Sequence, residues 1–201
     1  MLLDAEDSQL VLVDYQERLL PALSEGAQAL ANAVRLARMA QMLEVPVLGT
    51  EQSPDKLGPN AHELRSLCLR TLQKTSFGAV SDGLADWLRP VVKQQGGNAR
   101  SLPKHLQKPA AAAPQGRQTI VIAGCEAHVC LLQTALELIE QEFDVWVVTD
   151  ACASRTDRNR DAAFDRLAGA GAELVTTEMV AFEWLRGADH PLFREVQALI
   201  K

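Results

Sequence analysis

The sequence predicts an α/β protein, a doubly wound and mostly parallel sheet with helices on both faces. Three runs carry the strand half of that prediction: Leu10-Val11-Leu12-Val13, Ile120-Val121-Ile122-Ala123 and Val145-Trp146-Val147-Val148. They are continuously apolar and rich in β-branched residues instead of alternating, the pattern of parallel strands covered on both sides. Each ends in a polar or small residue: Asp14, Gly124 and Thr149-Asp150. Helical patterns fall between them, and alternation of strand and helix along a chain is the signature of the doubly wound class.

Taken in order, the strand at 10–13 is followed by Ala29, Ala33, Leu36, Ala40 and Leu43, whose steps of three and four draw one apolar stripe behind a Ser24 cap. Val45-Pro46-Val47-Leu48 reads as a further strand, with Pro46 at its start where a missing N–H is tolerated. Leu132, Ala135, Leu136 and Ile139 mark a helix after Gly124, and further helices are expected at about 81–94, 158–169 and 190–200. Gly169-Ala170-Gly171 stops a helix ahead of the strand Glu173-Leu174-Val175. The whole chain, 1–201, is expected to be one domain, broken only by a Gly-, Pro- and Ala-rich insertion or loop at 96–116.

Composition narrows the function classes. A chain of 201 residues that is 47% hydrophobic can bury a core and is not disordered. No apolar run reaches the roughly 18–20 residues of a membrane span, and the acidic start (Asp4, Glu6, Asp7) is unlike a secretory leader. Acidic residues outnumber basic ones 26 to 20, with the basic ones dispersed, so no nucleic-acid partner is expected. Cys68, Cys125, Cys130 and Cys152 form no CxxC pair and read as reduced thiols, which places the protein in the cytoplasm.

In a sheet of this class, ligands bind outside the carboxyl ends of the strands. That directs attention to Asp14, to Thr50-Glu51-Gln52, to the segment from Gly124 to Cys130 and to Asp150 through Arg155. A cysteine in the first turn of a helix meets unpaired N–H groups and the positive end of the dipole, both favouring thiolate. The same N–H groups can hold a developing oxyanion. Asp14, closing a buried strand, is placed to be the base such a nucleophile needs, and Lys74 in Gln73-Lys74-Thr75-Ser76-Phe77-Gly78 could hold Asp14 ionised. Cys125, His128 and Cys130 lack the fourth ligand a structural zinc requires. His128 reads either as a surface histidine at a helix start or as an aid to the nucleophile. No Gly-rich nucleotide loop occurs.

Five motifs stand in one order: Val13-Asp14-Tyr15-Gln16-Glu17, Lys74-Thr75-Ser76-Phe77, Gly124-x-Glu126-Ala127-His128-x-Cys130, Gln133-Thr134-Ala135-Leu136 and Val148-Thr149-Asp150-Ala151-Cys152-Ala153-Ser154-Arg155. Together they resemble the isochorismatase-like cysteine hydrolases, and within them the branch of isochorismatase domain-containing proteins, over about residues 8–195 outside the 96–116 stretch. The resemblance implies a Rossmann-like sheet, an Asp14–Lys74–Cys130 triad, a cis peptide at Cys125–Glu126, and an oxyanion held by the N–H groups of Glu126 and Cys130. It also implies a homo-oligomer, a dimer or higher.

Two departures sharpen the expectation. Nicotinamidases of the superfamily bind a metal just after the second strand, where this chain reads Glu51-Gln52-Ser53-Pro54-Asp55-Lys56-Leu57 without histidine. No metal and no cofactor are expected. True isochorismatases need no cysteine nucleophile, so Cys130 favours attack on an amide-like carbon, and C–N over C–O hydrolysis. The expected protein is a metal-independent cysteine hydrolase acting on a small amide-like or related carbonyl compound through a thioester. Tyr15, Glu51, Gln52, Phe77 and Arg155, near the expected strand ends, are the candidates for substrate contact. The rival readings are a small-molecule-binding or regulatory protein that retains the fold, and a thiol redox protein pairing Cys130 with Cys125 or Cys152.

Overall fold

A computed structural model describes residues 1–89 and 116–201. Six strands form one sheet: β1 (Ser8–Val13), β2 (Val47–Gln52), β3 (Arg70–Lys74), β4 (Thr119–Gly124), β5 (Asp144–Val148) and β6 (Glu173–Val175). Their spatial order is β3-β2-β1-β4-β5-β6 and every pairing is parallel. The uninterrupted apolar runs become β1, β4 and β5 at the centre. β1 and β4 are buried along their whole length, as strands sandwiched between helical layers must be.

The longer helices are α1 (Gly26–Met42), α5 (Leu132–Glu140), α6 (Asp157–Gly169), α7 (Thr177–Leu185) and α8 (Phe193–Ile200), joined by the short α2 (Pro54–Leu57), α3 (His62–Arg65) and α4 (Leu84–Leu88). α1 packs with α7 and α8, and α5 with α6. Right-handed crossovers put these groups on opposite faces of the sheet. The stripe on α1 buries Ala29, Ala33, Leu36 and Ala40 as its spacing requires, and the core joins it to Leu10, Leu12, Ile120 and Val147.

Several expectations need correction. Ser24 does not cap α1. The helix starts after Glu25, which is left-handed, while the Ser24 hydroxyl donates to Asp157 and its N–H to the Ser154 carbonyl. The second strand begins at Val47 and runs on through Gln52, because it pairs with β1 as far as Val13↔Thr50 and with β3 on to Gln52↔Lys74. Of the helix expected at about 81–94, α4 occupies 84–88 and positions beyond 89 lie outside the described residues, as does the insertion at 96–116 apart from Gly116. β3 and α7 are elements the hydrophobic pattern did not reveal.

β1 and β4 lie side by side although β2 and β3 separate them in the chain, so the direction of winding reverses between them. Such a switch point leaves a crevice beyond the strand ends. Asp14 and Cys125, the residues next after β1 and β4, stand at this point, tied by the Cys125 N–H donating to the Val13 carbonyl at 2.9 Å. Gly124 allows that approach. A Cβ there would lie 2.5 Å from Val13 Cβ and 2.6 Å from the Val13 oxygen.

Candidate active site

Asp14 adopts a left-handed backbone (φ 55°), a conformation aspartate tolerates better than most residues. Its carboxylate is fully buried, and a buried charge has to be paired and hydrogen-bonded to persist. Both conditions are met. Lys74 Nζ donates to Oδ2 at 2.8 Å, and the Thr50 hydroxyl donates to Oδ1 at 2.7 Å. Lys74, on the last position of β3, is equally buried, and its ammonium also reaches Gln52 Oε1 at 2.9 Å and the carbonyls of Phe77 and Ser76 at 2.9 and 3.2 Å.

Cys130 comes to the same place from β4. The Cys125–Glu126 peptide is cis, and the chain then enters a π-helical turn, Ala127–Leu131, that continues into α5. The wider turn is closed by the Leu131 N–H donating to the Glu126 carbonyl at 3.3 Å, and π-helical turns inside helices are frequently found at functional sites. Cys130 is 6% exposed, and its thiol stands close enough to Asp14 and Lys74 for both charges to act on it, in opposite directions. Burial pushes the thiol up to about 12, the Asp14 charge adds to the rise, and Lys74 opposes it. The sequence argument from the helix N-terminus pointed toward a thiolate. Burial and the neighbouring carboxylate outweigh that dipole, and both favour the proton on sulfur.

The other expected residues divide. Gln52 is buried and braces the cation: its Oε1 accepts from Lys74 and its Nε2 donates to the Thr75 carbonyl at 2.8 Å. Tyr15 is fully buried and its phenol donates to the Ala151 carbonyl, which turns it into core instead of pocket wall. Glu51 lies on the opposite face of β2 from Thr50 and Gln52. It accepts from the Asn60 N–H at 2.8 Å and lines a cleft of about 710 Å³ with Ser53, Asp55, Lys56, Gln73 and Asp82, a cleft whose wall also includes Lys74 but neither Asp14 nor Cys130. Phe77 is 54% exposed beside its own carbonyl's contact with Lys74. Arg155 is exposed, and its Nε donates to Glu126 Oε1 at 2.6 Å, beside the cysteine turn.

Thr50 and Gln16 lie in segments the sequence singles out, but their roles are visible only in the structure. Gln16 accepts from the Gln52 N–H and donates to the Gln52 and Gly58 carbonyls, pinning the end of β2. The period-2 alternation of β2 carries the missing signal: Thr50 and Gln52 share the face that meets Asp14 and Lys74, and Glu51 does not. Among the described residues, no three His, Cys, Asp or Glu side chains come together as metal ligands.

The isochorismatase domain model matches residues 8–179. The chain belongs to the isochorismatase family. It is 36% identical to mouse isochorismatase domain-containing protein 2B over 196 residues, 98% of this chain and 82% of that protein. It is also 36% identical to human isochorismatase domain-containing protein 2 over 194 residues, covering 96% and 83% of the two chains. Among solved structures, MAR1 ribonuclease from Caenorhabditis elegans superposes with a TM-score of 0.83 at 30% identity, over 100% of this chain and 92% of that one. YcaC from Escherichia coli, described as an octameric hydrolase of unknown specificity, superposes at 0.75 with 24% identity, over 100% and 95%, a likeness of fold. In this isochorismatase-family chain, the features that bear on chemistry are a buried ion pair, a thiol beside its carboxylate, and a cysteine turn at the switch point.

Proposed function

We propose that the protein is a metal-independent cysteine hydrolase of small amide-like or related carbonyl compounds, with Asp14, Lys74 and Cys130 as its catalytic residues. The observation that carries this reading is a buried thiol beside the carboxylate that Lys74 and Thr50 hold in place from the sheet edge. Asp14 takes the Cys130 proton as sulfur attacks the carbonyl carbon. The oxyanion is received by the N–H groups of Glu126 and Cys130. Collapse of the tetrahedral adduct breaks the C–N bond, the amine leaves with the proton from Asp14, and a thioester remains on Cys130. Water then attacks that carbonyl, giving its proton to Asp14, and sulfur departs to regenerate the thiol as the carboxylic acid is released.

A thiol held toward its protonated form until substrate arrives suits this division of labour, because the base stands beside the group it deprotonates. A small-molecule substrate is favoured over a polyanion such as RNA by the excess of acidic residues, 26 against 20. The family resemblance further supports a cytoplasmic homo-oligomer.

p-Nitrophenyl acetate, an activated ester, reports the first half-reaction without knowledge of the natural substrate. Peptide mass spectrometry should find the acetyl group on Cys130. Asp14→Asn should cut the acylation rate by about 10²-fold or more, and Cys130→Ala should abolish the adduct with the fold unchanged. Acetylation of the other cysteines in preference to Cys130, or an Asp14→Asn variant as fast as wild type, would point to the binding-protein reading instead.

A further inference from the structure

The mechanism leaves His128 unused, although it sits inside the cysteine turn, two residues before the thiol. Its imidazole is half-buried and both nitrogens are engaged: Nδ1 lies 3.0 Å from the Ser154 hydroxyl, and Nε2 lies 3.4 Å from Asn159 Nδ2. An amide nitrogen only donates, so the tautomer that satisfies both contacts accepts at Nε2 and donates from Nδ1 to Ser154. Ser154 is itself buried and its carbonyl accepts from the Ser24 N–H, while Asn159 belongs to the first turn of α6, capped by Thr156. The imidazole therefore bridges the π-helical turn to two fixed points, one on each side of Thr156.

The residues on either side make weaker claims on Cys130. The Ala127 N–H donates to the Ala153 carbonyl at 2.8 Å, which fixes the beginning of the turn, and the Glu126 carboxylate accepts from the exposed Arg155. Beyond His128, Val129 and Leu131 bond back to Glu126, within the turn itself. The side chain of His128 is thus the last tie from outside the turn before the thiol.

We propose that His128 is a positioning residue, a latch that holds the π-helical turn against the segment entering α6 and so keeps the Cys130 thiol covered and aligned with Asp14. This rests on the reading of Cys130 as the nucleophile. Releasing the latch lets the turn swing outward. Cover and alignment are lost together, which drives two reactions of the same sulfur in opposite directions. Alkylation by a small reagent needs only access and thiolate, so it accelerates as the thiol escapes burial and the Asp14 charge. Acylation by an ester needs Asp14 and the oxyanion donors in register, so it slows.

The experiment compares wild type, His128→Ala, Asn159→Leu and His128→Asn at about pH 8, where an ordinary thiol is partly ionised. Iodoacetamide labelling is followed cysteine by cysteine, alongside acetylation by p-nitrophenyl acetate. In His128→Ala, Cys130 should alkylate about tenfold faster and acetylate about tenfold more slowly, with Cys125 and Cys152 unchanged. Asn159→Leu should do the same to a smaller degree. His128→Asn, whose amide nitrogen falls near the Nδ1 position and can still reach Ser154, should recover part of both changes. Equal acceleration at Cys125, Cys130 and Cys152 would reveal general loosening and overturn the latch, as would a Cys130 indifferent to all three variants. Selective alkylation of Cys130 in His128→Ala, combined with no acetylation even in wild type, supports the latch and overturns the nucleophile.

Discussion

Lys74 presents three ammonium protons to four acceptors, the Asp14 carboxylate, the Gln52 amide oxygen and two main-chain carbonyls. A neutral amine would turn a lone pair toward this ring of oxygens, so the geometry describes a fixed cation and not a proton carrier. Removing the cation while keeping the anion leaves an unpaired buried carboxylate. Lys74→Met should therefore lower stability by about 3–5 kcal/mol, measured by urea unfolding. The double variant Asp14→Asn/Lys74→Met should recover most of that loss, since neither charge then remains buried. A double variant no more stable than Lys74→Met would mean the side chain matters for its packing and not for its charge. The same buried pair explains what sequence could and could not reveal here. Asp14 and Cys130 border segments whose types are legible, whereas Lys74 ends a strand the pattern does not reveal, and only the family resemblance joins it to the other two. Tyr15 stood one residue from Asp14 and was assigned to the pocket for that proximity, but adjacent residues past a strand end diverge, and the Tyr15 phenol finds the Ala151 carbonyl inside the core.

Among the elements, β4 matters most to the site, because its last residue sets how near the cysteine turn comes to β1. Gly124 has room for hydrogen only, facing Val13. Gly124→Ala has to push the two strands apart at the switch point. A loss of about 1–3 kcal/mol is expected for such overpacking, together with a fall in acetylation of Cys130 larger than any other wild-type-like property shows. Thermal unfolding and the ester assay measure both, and unchanged acetylation would show that the turn tolerates the shift. β1, β4 and β5 were legible because strands covered on both faces are written as plain apolar runs. β3 was not, because an edge strand with the burial of Arg-Thr-Leu-Gln-Lys is half exposed and spells no pattern stronger than a loop. α7 was missed for the opposite reason: its buried Val180, Ala181, Trp184 and Leu185 give a short apolar stretch without a clear polar side.

Across the whole molecule, thiols and the one tyrosine are buried with little compensation. Burial raises Cys68 to about 11 and Cys130 and Cys152 to about 12, and it moves Cys125 and Tyr15 well above the ordinary range of a thiol and a phenol. Each of these groups keeps its proton in the folded state at a pH where the unfolded chain has released it. The unfolded state then binds fewer protons, so stability falls as pH rises. The effect is absent below about pH 8, sets in near pH 9, and for each thiol continues to its folded value at up to about 1.4 kcal/mol per pH unit. Urea midpoints should accordingly drop steeply between about pH 9 and 11. Cys152→Ala, which removes one such proton, should make the decline shallower. A midpoint independent of pH over that interval would mean these thiols ionise as freely in the folded protein as in the unfolded one.

The left-handed backbone at Asp14 bears on how such a protein changes over evolutionary time. Asparagine is the residue that most nearly shares aspartate's tolerance of that conformation, and with it in place Lys74 still has Gln52 and two carbonyls to hold its protons. One amide for one carboxylate would remove the proposed base and keep the turn, but it would leave the Lys74 ammonium buried without its anion, at a cost in stability. A lineage that lost the proposed chemistry this way would be pressed toward a second, compensating change at residue 74, while the fold would carry no trace of the first. The identity of residue 14 would record it.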